Sequence, residues 1–441
     1  MKSKHNFEKF VDRKRQKIYN ITSYKQERKG IKMKEVELLA PAGSYEKAKI
    51  AFLYGADAVY CGTSSLSLRT RADMEDEDLE KTIKYAHSIN KKVYVTLNIF
   101  AWDDKYDEII EMAKKLEEVK PDGIIAADGG IIEVLKKYAP SVNINVSTQA
   151  NIVSLHSANF WYHNGAKRMI MAREMNKQQL KYIMENKPKE MEVEIFVHGA
   201  ICFAFSGRCF LSDFLSCRSA NLGDCAQSCR WSYNLYAEEK NNPGELMPIE
   251  TSEYGTSIFS SKDLCLIKEI PEIIDMGIDS LKIEGRLKTE YYLASVIGVY
   301  RNAIDDYRKE PNKYDYKKYL EELEKVKTRG LTTFYFNDRN NKNIQEYGGR
   351  QYNEKYEFGA KVVEYKKDKS IVEIKNKLQV EDKLELLVPH QLKPIEFEIK
   401  NLWDYDTKEE IEAVSPGVKG QKVLINIPIK CEKDWIIRRK K

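Results

Sequence analysis

VYVTLNIFAWDDKYDEIIEMAKKLEEVKPDGIIAADGGIIEVLKKY, residues 93–138, holds two copies of one pattern. Each copy opens on a short apolar run, VYVTLN (93–98) or GIIAAD (123–128). Each then passes through a polar turn into a segment of helical period, 104–119 or 129–138. Apolar runs without alternation suit strands buried on both faces, as in parallel sheets covered by helices. The pattern repeats outward in both directions. VELLA (36–40) precedes a helix from Tyr45, and DAVYCG (57–62) precedes one from about Asp76. INVSTQ (144–149) leads into 152–164, and RMIMA (168–172) into 176–186. VEIFVHG (193–199) is a seventh strand and DSLKIEG (279–285) an eighth, followed by a helix from Glu290. Eight regular βα units predict an α/β protein with a TIM-like (β/α)8 barrel rather than an open doubly wound sheet.

One unit breaks the period. Between the seventh strand and a helix expected near Lys262 lies an insertion over 199–262, where a βα loop is normally a few residues long. In a barrel it lies above the C-terminal mouth, where this fold builds its sites. Five of the eight cysteines fall in it: Cys202, Cys209, Cys217, Cys225 and Cys229. Cys265 stands on the expected next helix. With no signal-peptide core the expected location is cytoplasmic, where a disulfide framework is disfavoured. Clustered thiols there point to a metal site or redox chemistry. The paired knuckles of zinc ribbons and the regular ferredoxin spacings are both missing. Four thiolates on a folded insertion can still converge in space on an iron–sulfur cluster or a zinc ion.

The rest of the chain divides by composition and period. Residues 1–32 carry 11 Lys/Arg against 3 Asp/Glu, within a net charge of +5. They read as a disordered, solvated arm, able in principle to meet a polyanion. The barrel with its insertion is expected over 33–327 and a polar connector over 328–357. From Gly359 the period changes to two, so 358–441 predicts a small antiparallel β-barrel domain. No apolar stretch approaches the roughly 18 residues of a membrane span.

Polar residues at strand ends should face the mouth. They are Arg69 and Arg71 after the second strand, Asn98, Asp128, Gln149 and Arg173 after the next four, and Lys282, Glu284 and Arg286 on or after the eighth. Arginines around one mouth would clamp a carboxylate or phosphate ligand, or pair with Glu across the rim. His198, ending the seventh strand, could be a general base, a metal ligand or a buried, hydrogen-bonded histidine.

The blocks EIFVHGAICFAFSGRCFLS (194–212), NLGDCAQSCRW (221–231) and SLKIEGRLKTEYY (280–292), with ELLAPAGSYEKAKIAFLYGADAVYCG (37–62), resemble the signature blocks of the collagenase-like peptidases, peptidase family U32. The resemblance runs from about residue 36 to 310. The domain after Gly359 is similar to the extra domain of the family's tRNA hydroxylation branch. That resemblance implies a cytoplasmic RNA-binding enzyme that hydroxylates the wobble uridine in the tRNA anticodon to 5-hydroxyuridine. It implies independence of oxygen, prephenate as co-substrate or ligand, and a paralogous partner. It also implies a [4Fe–4S] cluster on Cys202, Cys209, Cys225 and Cys229, with Cys265 the alternative fourth ligand. Arg69, Arg71, Asn98, Gln149, Arg173 and Arg286 would bind substrate, and Glu284 and His198 would serve as acid and base. Trp231, Tyr233 and Tyr254 could stack an extruded base. The alternatives are a collagenase-like endopeptidase, as the family name has it, and a zinc-stapled RNA-binding protein.

Overall fold

The computed structural model describes residues 34–441 apart from 64, 65, 67–72, 203, 206, 207, 232, 239, 242, 245, 250–260, 342, 345–354, 368 and 419. The basic arm, Arg69, Arg71, Tyr254 and part of the connector lie outside the described residues.

Eight parallel strands close a barrel: β1 (Glu37–Pro41), β2 (Ala58–Thr63), β3 (Lys92–Leu97), β4 (Gly123–Ala126), β5 (Ile144–Val146), β6 (Ala166–Ile170), β7 (Glu192–Gly199) and, past the insertion and a short strand β8 (Asp263–Cys265), β9 (Ser280–Ile283). Each pairs with the next barrel strand, and β9 closes the ring on both β7 and β1. The helices begin where the sequence supplies caps. The Ser44 hydroxyl accepts from the Lys47 amide ahead of α1 (Tyr45–Leu53). Asp128 accepts from Gly130 and Ile131 ahead of the helix Gly129–Tyr138. Asn176 and Gln179 form a reciprocal capping box ahead of Lys177–Asn186. Each cap satisfies amides that the first helical turn leaves without partners.

Two expectations are corrected. The segment after the insertion is not a helix from Lys262. Instead β8 runs antiparallel to the end of β7, pairing Leu264 with Gly199 and Cys265 with His198, and a short helix follows at Ile270–Asp275. The connector is not wholly irregular either. Leu331–Thr332 pairs with β8, and Phe334 and Phe336 are buried.

The barrel interior is ionic at its lower end. The Arg168 guanidinium reaches Glu37 at 2.6 Å, Glu192 at 2.7 Å and Glu194 at 3.0 Å, and lies 4.7 Å from the Tyr94 ring centroid. Lys282 Nζ donates to Glu194 at 2.9 Å and Ser280 to Glu37 at 3.0 Å. Burial alone would raise the Glu37 carboxyl, but Arg168, with Lys92 and the Tyr94 hydroxyl, outweighs it and holds the group below its ordinary range. Buried charges persist when they are paired in this way.

The C-terminal domain is an antiparallel half-barrel of seven strands around one apolar core that includes Val362, Leu384 and Ile437. It is locked to the barrel by Tyr54 at the end of α1. The Tyr54 hydroxyl donates to Leu387 O at 2.8 Å and accepts from Ile436 N at 3.0 Å. Arg438, 1% exposed, pairs with Glu385 inside the domain and reaches Glu322 of the helix Lys317–Leu323 at 2.7 Å. Among the described residues no helix is long and apolar enough to cross a membrane.

Candidate functional site

A cavity of about 310 Å³ opens at the C-terminal mouth of the barrel, between the strand ends and the cysteine-rich insertion. That size is in the range of small-molecule sites. Its floor is made by inward-facing strand residues: Tyr60 on β2, Thr96 on β3, Ile125 on β4, Ile170 on β6, Phe196 on β7 and Lys282 on β9. Its rim holds Asn98, Gln149, Arg173, Glu284 and Arg286. The structure thus brings together every strand-end residue the sequence proposed except His198, Asp128 and the two arginines outside the described residues.

The rim is built by local bonding. Asn98 and Gln149 hold each other by two bonds: the Asn98 side chain donates to Gln149 Oε1, and Gln149 Nε2 donates back to Asn98 O at 2.8 Å. Ser147 adds a bond to Gln149 Oε1 at 3.2 Å. Arg173 donates to Ala200 O at 2.8 Å and stacks over Phe196 with 4.9 Å to the centroid. Arg286 donates to Thr96 Oγ1 at 3.1 Å. Two glycines make room for this. A Cβ on Gly199 (φ +112°) would lie 2.6 Å from Glu284 O, and one on Gly285 (φ +152°) 2.7 Å from the Tyr292 ring. Glycine alone adopts such backbone at no steric cost, so the chain can bring Glu284 against the end of β7.

The insertion forms the roof. Cys202, Cys209, Cys225 and Cys229 all line the cavity. Burial raises the Cys229 thiol above its ordinary value, Arg230 opposes this, and Cys202, Cys225 and Cys209 add to the rise. Cys229 therefore lies close enough to the other three thiols to feel them along one cavity wall. Cys225 Sγ accepts from Gln227 N at 3.4 Å, and Arg230 ties the roof down through Gln227 Oε1 at 2.9 Å and Ile201 O at 3.2 Å. No three Cys, His, Asp or Glu side chains among the described residues are grouped so as to hold a metal ion. The donor set nonetheless suits an iron–sulfur cluster, which takes four thiolates on a partly shielded wall.

Several sequence-proposed residues stand elsewhere. His198 does not face the mouth. Strand alternation puts it on the same side as Glu194 and Phe196, but a β-bulge shifts the β7–β9 register, pairing Lys282 with Phe196 and Ile283 with His198. The skipped residue turns His198 outward. It lies against Tyr292 and Tyr300 of the helix Glu290–Lys309, with Tyr300 OH 3.4 Å from Nδ1. Burial, with the Lys288 charge adding, pushes its imidazole down to about 3. Cys265 is buried beside Tyr300, its thiol pushed up to about 12 by burial, and it does not line the cavity. Of the two proposed fourth ligands, Cys229 is the one at the cavity. Asp128 caps a helix and accepts from Tyr106 OH. The Tyr233 hydroxyl is bonded to Ser228 O at 2.6 Å, and Trp231 is 37% exposed; neither lines the cavity, whereas Phe205 does.

Lys282, Tyr60, Thr96 and Arg230 complete the site. Lys282 was legible by its spacing, two residues before Glu284 on the same inward side. Arg230 carried no signal in the sequence, because its position depends on the fold of the insertion.

Comparison with known proteins agrees with this architecture. The model of peptidase family U32 matches residues 43–346, and that of the family's C-terminal domain matches 354–438. The chain is 38% identical to tRNA hydroxylation protein P1 of Bacillus subtilis over 380 residues, 85% of this chain and 89% of that one. It is 35% identical to tRNA hydroxylation protein P of Escherichia coli over 441 aligned positions, 91% of this chain and 96% of that one. It is also 34% identical to the Escherichia coli 23S rRNA 5-hydroxycytidine C2501 synthase, over 61% of this chain and 39% of that longer protein.

Proposed function

The chain belongs to peptidase family U32, and from that premise we propose that it is an RNA-modifying enzyme that hydroxylates tRNA. In the finer form of the proposal, the product is 5-hydroxyuridine at the wobble position. The single observation that carries the reading is the cavity itself, which joins four thiols on its roof to a cationic rim and floor. The names of the relatives that match across both domains support RNA as the substrate class.

Among the described lining residues Arg173, Arg230, Lys282 and Arg286 face one carboxylate, Glu284. Such a surplus of cations suits an anionic ligand, and arginine forks match carboxylates; prephenate, with two carboxylates, fits that class. Cys202, Cys209, Cys225 and Cys229 would hold a [4Fe–4S] cluster, which supplies electron-transfer or Lewis-acid chemistry when bound. Asn98 and Gln149, fixed by their mutual bonds, would present polar edges to the substrate. Glu284, at the rim and backed by Gly199, would accept or give a proton.

The test is mass spectrometry of tRNA nucleosides from a host lacking its own tRNA hydroxylases. The host carries the wild-type chain or Cys209→Ala, with and without a paralogous family member. Return of 5-hydroxyuridine derivatives with the wild type and not with Cys209→Ala is the expected result. Failure of the wild type to restore them, with the paralogue present, would refute the proposal.

A further inference from the structure

Lys282 has so far counted only as one of the cations lining the cavity, and its amine can do more. The residue is 3% exposed, its ammonium lies 4.3 Å from the Tyr60 centroid and 5.5 Å from that of Phe196, and it forms part of the cavity floor. Its carboxylate partner, Glu194, lies below the floor, is fully buried and is also held by Arg168 at 3.0 Å. A lysine desolvated among aromatic rings and set beside other cations is the arrangement that activates an amine as a nucleophile toward carbonyl groups. Burial and the neighbouring Arg168 and Arg286 charges lower the ammonium's affinity for its proton, against the attraction of Glu194.

We infer that Lys282 captures the carbonyl group of a small 2-oxo acid in the cavity as an iminium ion. The inference rests on the reading of the cavity as a site for a small organic anion, and not on the identity of the RNA. The ammonium passes one proton to Glu194, and the neutral Nζ adds to the carbonyl carbon, forming the C–N bond. Glu194 then returns its proton to the carbinolamine nitrogen, and Glu284 at the rim carries one proton from that nitrogen to the hydroxyl, which leaves as water. Overall one ammonium and one ketone give one iminium and one water, with no oxidant or reductant required. Charge is conserved at Nζ, so the ion pair with Glu194 survives the reaction and stabilises the product. Glu194 is never left unpaired, since Arg168 holds it throughout. Arg173 and Arg286, lining the same cavity, are placed to take the carboxylate of the acid.

The experiment is reductive trapping. The full chain, purified without air, is incubated with phenylpyruvate and sodium cyanoborohydride, and adducts are located by peptide mapping. The expected result is a single dominant adduct on Lys282, lost in Lys282→Arg, which keeps the charge beside Glu194 but cannot form an imine. Three results would overturn the inference: no adduct on the Lys282 peptide, labelling of Lys282 no greater than that of exposed lysines, or an unchanged adduct mass in Lys282→Arg. Urea unfolding of Lys282→Arg confirms that the variant is folded, and the wild-type map alone decides the matter if it is not. Trapping is read without RNA. An adduct in a protein that makes no 5-hydroxyuridine sinks the RNA reading and leaves this one; hydroxylation without an adduct does the reverse.

Discussion

His198 is 1% exposed and held neutral, its imidazole pushed by burial and by Lys288 from 6.5 to about 3. In the unfolded chain the same group takes up a proton as the pH falls through 6.5. Between these values the unfolded state binds more protons than the folded state. Stability is therefore full above about pH 7 and is lost as the pH falls, at up to about 1.4 kcal/mol per unit. Integrated from about pH 7 to about pH 5, the loss from this one residue is about 2 kcal/mol. Replacement by glutamine removes the titration. Its own packing cost is the same at both pH values and cancels in the comparison. Urea unfolding of wild type and His198→Gln at the two pH values measures the difference directly. The wild type should lose about 2 kcal/mol more than the variant on acidification. If the two proteins lose equal stability, His198 is not held neutral, and the account of the bulge that buries it is wrong.

Arg168→Met should cost about 3–5 kcal/mol in urea unfolding, because it leaves the buried carboxylates Glu37 and Glu194 without the cation that bridges them. Tyr54→Phe removes a buried donor and acceptor at once. It should cost about 2–3 kcal/mol and speed amide exchange at Ile436. In anaerobic purifications Cys229→Ala should lose bound iron and brown colour, whereas Cys265→Ala and Cys217→Ala should retain both. Equal iron in Cys229→Ala and wild type would remove Cys229 from the ligand set.

The barrel was legible because each strand is an apolar run that no other element of this length explains. The run at 93–98 and its neighbours needed no partner to be recognised, since burial on both faces is written locally. The strand-end residues Asn98, Gln149, Arg173, Glu284 and Arg286 were legible for the same reason: in a parallel barrel the ends converge. The sequence left His198 either at the mouth or buried and hydrogen-bonded, and it is the latter; it could not decide because a bulge is a property of a pair of strands, and neither VEIFVHG nor DSLKIEG carries it alone. Cys265 was assigned to a helix because a three-residue strand has too few positions to show a period. The ionic floor was hidden as well. Glu37, Arg168, Glu192, Glu194 and Lys282 come from four strands, and each taken singly reads as a strand-end or solvent-facing charge.

The floor and the roof answer to different physics, and this gives the site its organisation. Lys282 is fixed from below by Glu194 and Arg168, within strands whose register is set by the closed barrel. The thiols are fixed from above by short-range bonds inside the insertion, such as the Ser212 hydroxyl accepting from Ala226 N at 2.8 Å and donating to Arg218 O at 2.7 Å. The two halves meet at the end of β7, where Gly199 lies against Glu284 and Arg173 bonds Ala200 O. Changes at the floor should therefore alter small-molecule capture while leaving the roof's metal content intact, and changes at the thiols should do the reverse. Gly199, Glu284 and Arg173 join the two halves, so a substitution there should disturb both.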